Sequence, residues 1–349
     1  MFPTVTGKGA IVARVISDSI SNWGKRITTF EIEYPRFIHA EFMTHRLLSR
    51  NCASSRAIPS KRIFDLISQS PATPIHWGKN QPGMQAYQEH NQLISYKDTI
   101  YTAAEVWNKA KDSSIKYASI LANAGYHKQI TNRLVEPFQM IKAVVTATEY
   151  DNFYWLRNHH ASQPEIKELA ECMLLASNMS QPILRMRGNR ISDNDDDNNN
   201  SDVNNIQNKD NNDMGSQEEY HLPYVSNDER EQYELEDSIK LSVARCAAVS
   251  YRNEDYQLDK SKQIYDRLIG EDRKHSSALE HIGRVMYSPK ARNISHISQV
   301  ISMYDLENGV SHIDRDGYLW SGNFKGWIQY RKLITDECCW NYTESHDKK

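Results

Sequence analysis

The stretch MTHRLLSRNCASSRAIP, residues 43–59, concentrates one His, three Arg, three Ser and an Asn with no acid to balance them. It overlaps FIHAEFMTHRLL, residues 37–48, whose apolar spacing predicts a short helix that starts after Pro35 and delivers the cluster at its end. Ser54, Ser55 and Arg56 then follow a helix end, where hydroxyls, a guanidinium and backbone donors can meet a phosphate. The planar fork of an arginine matches such an oxyanion. On charge content alone a solvated basic surface loop is the plainer account. A nucleic-acid patch is a third reading, but the chain carries no zinc-finger, helix-turn-helix or aromatic RNA-reading signature.

Upstream, AIVARVIS and KRITTFEIEY predict strands, the second alternating Ile27, Thr29, Glu31 against Thr28, Phe30, Ile32. Downstream, apolar residues recur at helical spacing from about Gln85 to Ala124, and Gly125 can cap that helix. KAVVTAT predicts a strand; Thr148 with Asp151 resembles a capping box opening a helix over NFYWL, and Ser162 with Glu165 a second. The Ile166, Leu169, Met173 stripe of the second helix reads as core. EDSIKLSVARCAAVSY and KSKQIYDRLIGEDRKHSSALEH predict two more helices, the latter stopped near Gly270, before a strand at GRVMYS and the tail NFKGWIQYRKLI. This mixture predicts an α+β fold, with helices packed on an antiparallel sheet.

No stretch is apolar for the eighteen or so residues a membrane span needs, and MFPTVTGKGA lacks the layout of a signal peptide, so a cytoplasmic protein without a membrane partner is expected. Five cysteines without C-x-x-C spacing point to neither a disulfide framework nor a zinc site. Residues 191–219 are Asn/Asp-rich, with nine acids and one Lys; against a chain total of −3 that leaves the remainder at +5, which suits an anionic ligand. The stretch is expected to be a disordered linker between a segment 1–190 and a segment 220–349.

Thr44, His45, Arg46, then seven residues and Ser54, resemble the Arg-His-Arg, seven residues, Ser motif of the flavin-dependent thymidylate synthases. NRLVEP resembles the segment that supplies that family's second phosphate-binding arginine, and DNFYWLR its Asn-Phe-x-x-Leu-Arg element. SVARCAAVSY and HSSALEH resemble elements that precede the motif in a typical member but follow it here, as a circular permutation would leave them. Thr44 stands where the family has Arg, Cys52 where it has a substrate-contacting acid, and Thr148 where it often has a flavin-contacting Arg.

The resemblance implies a permuted version of that fold and synthesis of dTMP from dUMP. Methylenetetrahydrofolate would donate carbon, FAD would carry hydride and NADPH would replenish it. It implies that Ser54, Ser55, Arg56 and Arg133 hold the nucleotide phosphate. Arg157 would meet the pyrimidine ring and stabilise charge developing there, with Glu41 and Cys52 also on the substrate. Thr44, His45, Arg46, Leu47 and Asn51 would contact flavin, as would Asn152, Ser250, Ser277 and Glu280, within a homotetramer. Gln329 and Arg331 of WIQYRK, similar to the helix before the motif, are candidates to replace what Thr44 lacks. The residues offer Ser54 no local His/Asp pair to make it a nucleophile, and no standard metal-ligand spacing around His39, His45 or His159–His160. Cys52, among cations, is either a reactive thiol or a small spacer. Two rival functions stay open: transfer to another pyrimidine deoxynucleotide, motivated by Cys52, and nucleotide binding without catalysis, motivated by Thr44 and Thr148.

Overall fold

Three strands open the chain: β1 (Thr4–Thr6), β2 (Val12–Ser21) and β3 (Arg26–Pro35). In β3 the expected alternation holds from Phe30 onward, with Phe30, Ile32 and Tyr34 fully buried and Glu31 and Glu33 partly exposed, whereas Ile27, Thr28 and Thr29 before it are all buried. This computed structural model describes residues 2–187, 215–250, 257–270, 274–291 and 306–339. They fall into two compact units that interleave along the chain. The first comprises Met1–Asp18, Thr28–Gln181 and Arg245–Tyr256, the second Ser19–Ile27, Pro182–Ala244 and Gln257–Lys349.

The first unit continues with α1 (His39–Phe42), β4 (Ser49–Cys52), α2 (Ser60–Gln69), the hairpin β5 (Ile94–Tyr96) and β6 (Thr99–Tyr101), α3 (Ala103–Asn123), α4 (Lys128–Thr131), β7 (Met140–Ala147), α5 (Asp151–Arg157) and α6 (Pro164–Met179). Its sheet runs β1-β2-β3-β7-β4. β7 is antiparallel to β3 over Thr28↔Ala147 to Pro35↔Met140, and to β4 over Ser49↔Thr146 to Cys52↔Ala143. Ile166, Leu169 and Met173 of α6 join Phe30, Ile32, Tyr34 and Val145 in one core, as their spacing predicts.

Several local expectations change. The helix predicted over 37–48 ends at Phe42, and side chains take carbonyls that a continued helix would have used: Thr44 Oγ1 donates to Glu41 O at 2.7 Å, and Arg50 donates to Met43 O at 3.1 Å and His45 O at 2.8 Å. Ser54–Arg56 therefore follow a strand, β4, and not a helix end. The helix expected from Gln85 begins only at Ala103, where Thr102 and Glu105 form a capping box; Gly125 does take the left-handed conformation after its end, at φ +88°. The boxes expected at Thr148 and Ser162 do not form. α5 opens at Tyr150 without a side-chain cap, and α6 opens at Gln163 with Pro164 in its first turn, while Glu165 accepts from Ile75 N at 2.9 Å.

The second unit contains β8 (Ile183–Arg185), β9 (Tyr220–His221), α7 (Asn227–Gln232), α8 (Leu235–Ala247), α9 (Leu258–Ile269), β10 (Gly283–Val285), β11 (His312–Ile313), β12 (Leu319–Ser321), β13 (Phe324–Lys325) and β14 (Trp327–Gln329). α8 passes into the first unit at Arg245. β8 runs parallel to β2 at Ser19–Ser21, and two antiparallel sheets follow, β14-β10-β9 and β11-β12-β13. Trp327, Phe324, Val285 and Ile27 form one of its apolar clusters. WIQYRK, similar in sequence to a helix, is instead β14 followed by a 3-10 turn. The expected linker lies outside the described residues up to 214; its last residues, Gln217–Glu219, form a 3-10 turn boxed by Ser216 and Glu219. Among the described residues no helix is long and apolar enough to cross a membrane.

Candidate functional site

β7 carries β4 on one edge, and α5 starts four residues after β7 ends, so the motif residues 44–48 and the Asn-Phe-x-x-Leu-Arg element meet although they are separated by more than a hundred positions. Together they line a pocket of about 170 Å³: Thr44, His45, Arg46, Leu47 and Leu48 on one side, Glu149, Asn152, Phe153, Leu156 and Arg157 on the other. That is smaller than the roughly 300–1,000 Å³ clefts that enclose drug-sized ligands. It accommodates part of such a molecule.

Arg157 is the hub. Its Nε donates to His45 Nε2 at 2.7 Å, one terminal nitrogen pairs with the Glu41 carboxylate, and the other reaches Thr44 Oγ1 at 3.4 Å, the weakest of the three contacts. Because His45 Nε2 accepts that bond, a neutral His45 carries its proton on Nδ1. Burial, then the Arg157 and Arg50 guanidiniums, lower the His45 pKa to about 4, so the imidazole is neutral at physiological pH. Phe153 presses edge-on to the ring, with centroids 4.9 Å apart. Arg46 and Asn152 are exposed on the same pocket, and no described carboxylate pairs with Arg46.

Beyond the other end of β4 lies a second cluster. Glu136, from NRLVEP, accepts from Ser55 Oγ at 3.2 Å and pairs with Arg133 at 2.6 Å and Arg36 at 2.9 Å. The buried Asn132 amide donates to the Ser55 and Ile58 carbonyls at 2.7 and 3.1 Å, fixing the turn on which Ser54 and Arg56 are exposed. Ser54 Oγ accepts from the Arg56 backbone N–H at 3.3 Å. Arg36 and Ser55 also border a cavity of about 110 Å³ floored by Ile58, Ile63, Ile67 and Ile141. The expected phosphate residues Ser55 and Arg133 are thus brought together, through an acid for which the sequence had assigned no role.

Asn51 donates to the Cys246 carbonyl at 3.3 Å, which ties β4 to the end of α8. The Ser250 side chain lies outside the described residues. Cys52 is not the reactive thiol its cationic neighbours led one to consider: burial outweighs Arg50 and Arg36 and pushes its pKa up to about 11. Ser277 and Glu280 belong to the second unit, where Glu280 pairs with Arg331, and Arg331 also with Glu337. Gln329 is 2 % exposed and donates to Asn323 at 2.6 Å, so its amide is not offered to solvent. Missed by the sequence reading were Glu136, Arg36, Arg50 and Glu149. Glu136 and Arg50 left a signal, by sitting inside stretches already singled out, NRLVEP and residues 43–59.

No protein-family model matches the chain, and no curated protein matches it.

Proposed function

We propose that the first unit binds a pyrimidine deoxynucleotide together with a flavin, and that the protein is a flavin-dependent thymidylate synthase making dTMP from dUMP. The observation that carries this reading is the convergence of two separately recognised motifs, Thr44–Leu47 and Asn152–Arg157, on one pocket through the Arg157–His45 bond.

The pocket's residues fit a flat, polar-edged ring. Leu47, Leu48 and Leu156 are apolar walls, and Asn152 and Arg46 supply donors. Asn152 and Arg46 would hold the flavin, which when bound supplies hydride to the carbon received from methylenetetrahydrofolate. Glu41 and His45 fix the plane of Arg157 from two sides, leaving the nitrogen with the long Thr44 contact free to turn to a ligand. A guanidinium so held favours negative charge on the pyrimidine carbonyls without needing to reorganise, the electrostatic contribution that makes C5 nucleophilic. Ser54, Arg56 and Arg133 anchor the phosphate, so remote binding energy orients the ring. No protein nucleophile is invoked. Cys52, its thiol protonated, fills space.

The experiment is incubation of the purified chain with FAD, NADPH, methylenetetrahydrofolate and either dUMP or dCMP, with mass analysis of the nucleotide. A gain of one CH₂ on dUMP supports the reading; a product from dCMP alone reassigns the substrate, and no product from either overturns the synthase.

A further inference from the structure

Two buried arginines of the second unit, Arg187 and Arg284, meet acids. Arg187 pairs with Glu219 at 3.2 Å and with Glu307, which also receives Arg284 at 3.5 Å. Arg185, two residues before Arg187 at the end of β8, does not. It is 8 % exposed, and its buried Nε has no hydrogen-bond partner. Met186 N, next to Arg185, donates to Glu218 O at 3.3 Å, and Arg230 of α7 reaches the same turn, where among the described residues it donates only to main-chain carbonyls, Gln217 O at 3.1 Å and Tyr220 O at 3.4 Å. Carbonyl dipoles satisfy donors without cancelling a charge. Among the described residues no carboxylate stands within ion-pair distance of either guanidinium.

The electrostatics agree with this arrangement. Burial, then Arg185, lowers the Arg230 pKa to about 9, and burial lowers that of Arg185, opposed only by the exposed Glu218. His221, fully buried with Nδ1 2.9 Å from Ser19 Oγ, is held neutral by burial, then by Arg185, Arg230 and His281. Two guanidiniums sharing a low-dielectric site without an acid repel each other and lose hydration. A bound oxyanion removes both penalties, and two arginine forks match its geometry.

We propose that Arg185 and Arg230 form a binding site for a phosphate-class oxyanion, either free phosphate or the phosphate terminus of an ester. Every residue involved lies in the second unit, and none belongs to the proposed nucleotide site. The test uses the full chain carrying Arg56→Ala and Arg133→Ala, which removes the other expected phosphate ligands, with thermal unfolding followed as phosphate replaces chloride at constant ionic strength. A rise in Tm with phosphate that disappears in Arg185→Met and in Arg230→Met is expected. Arg185→Met should also unfold no lower than its parent in chloride, because an unpaired buried charge is gone. If a Met variant fails to fold, Arg230→Lys, which keeps charge but loses the fork, should show a reduced rise. Phenyl phosphate acting as strongly as phosphate assigns the site to an ester terminus, and phosphate acting alone assigns it to the free anion. No rise in the parent, or a rise undiminished in the Arg230 variants, overturns the proposal.

Discussion

The clusters at the two ends of β4 use the same chemistry to different ends. At its start Arg157 has a 19 % exposed side chain and bonds through all three nitrogens, to His45, Glu41 and Thr44. Beyond its end Arg133 has a 51 % exposed side chain and one acid partner, Glu136, shared with Arg36 and Ser55. The four residues of β4 span about 10 Å between them. The difference is one of commitment. A part-buried guanidinium with fixed partners is a preorganised electrostatic element, whereas an exposed one with a shared partner can exchange it for a ligand.

The largest expected effect comes from breaking the committed end. Arg157→Ala leaves Glu41 and His45 without their donor, and should lower unfolding stability by about 3 kcal/mol and turnover by at least about 100-fold. Denaturant titration and steady-state rates measure both. Stability unchanged in this variant would make the two clusters equivalent and remove the contrast.

His45 gives the next effect, through pH. Its folded pKa of about 4 lies below the ordinary value of 6.5, so the unfolded chain takes up a proton first. Its contribution is complete above about pH 6.5 and is lost as pH falls toward 4, by about 3 kcal/mol. Unfolding curves across that window should show this slope, and His45→Gln should flatten it.

At the exchangeable end, Arg133→Ala should weaken nucleotide binding by about tenfold while changing stability by less than about 1 kcal/mol. Calorimetric titration with dUMP separates this from the Arg157 variant, which loses both. Smallest of all, Glu136→Gln frees Arg133 and Arg36 from a competing carboxylate and should tighten dUMP binding by a few-fold. Weaker binding would mean that the acid positions these arginines for the ligand and does not compete with it.

What could be read from the chain alone follows from the range of the forces involved. β3, β7 and the α6 stripe are legible because alternation and helical spacing are written in adjacent residues, and Ile32 or Leu169 needs only a neighbouring layer to bury it. The end of α1 at Phe42 is not; there Arg50 reaches back across the turn to Met43 and His45. Thr102 and Glu105 were a local signal that a long apolar periodicity concealed. In the candidate site Thr44, His45, Asn152 and Arg157 were named from motif likeness, but their mutual bonds were not, since a neutral imidazole accepting from a guanidinium is a product of burial. Arg36 and Glu149 stand in no motif and enter only through tertiary packing.

The most direct test of the central claim is the visible absorption spectrum of the full chain after incubation with FAD and removal of free flavin by gel filtration. Flavin bands should travel with the protein, and be lost when Arg46 and Asn152 are both replaced by Ala without a fall in Tm. A colourless protein, or flavin retained undiminished by that double variant, would contradict the assignment of the Thr44–Arg157 pocket.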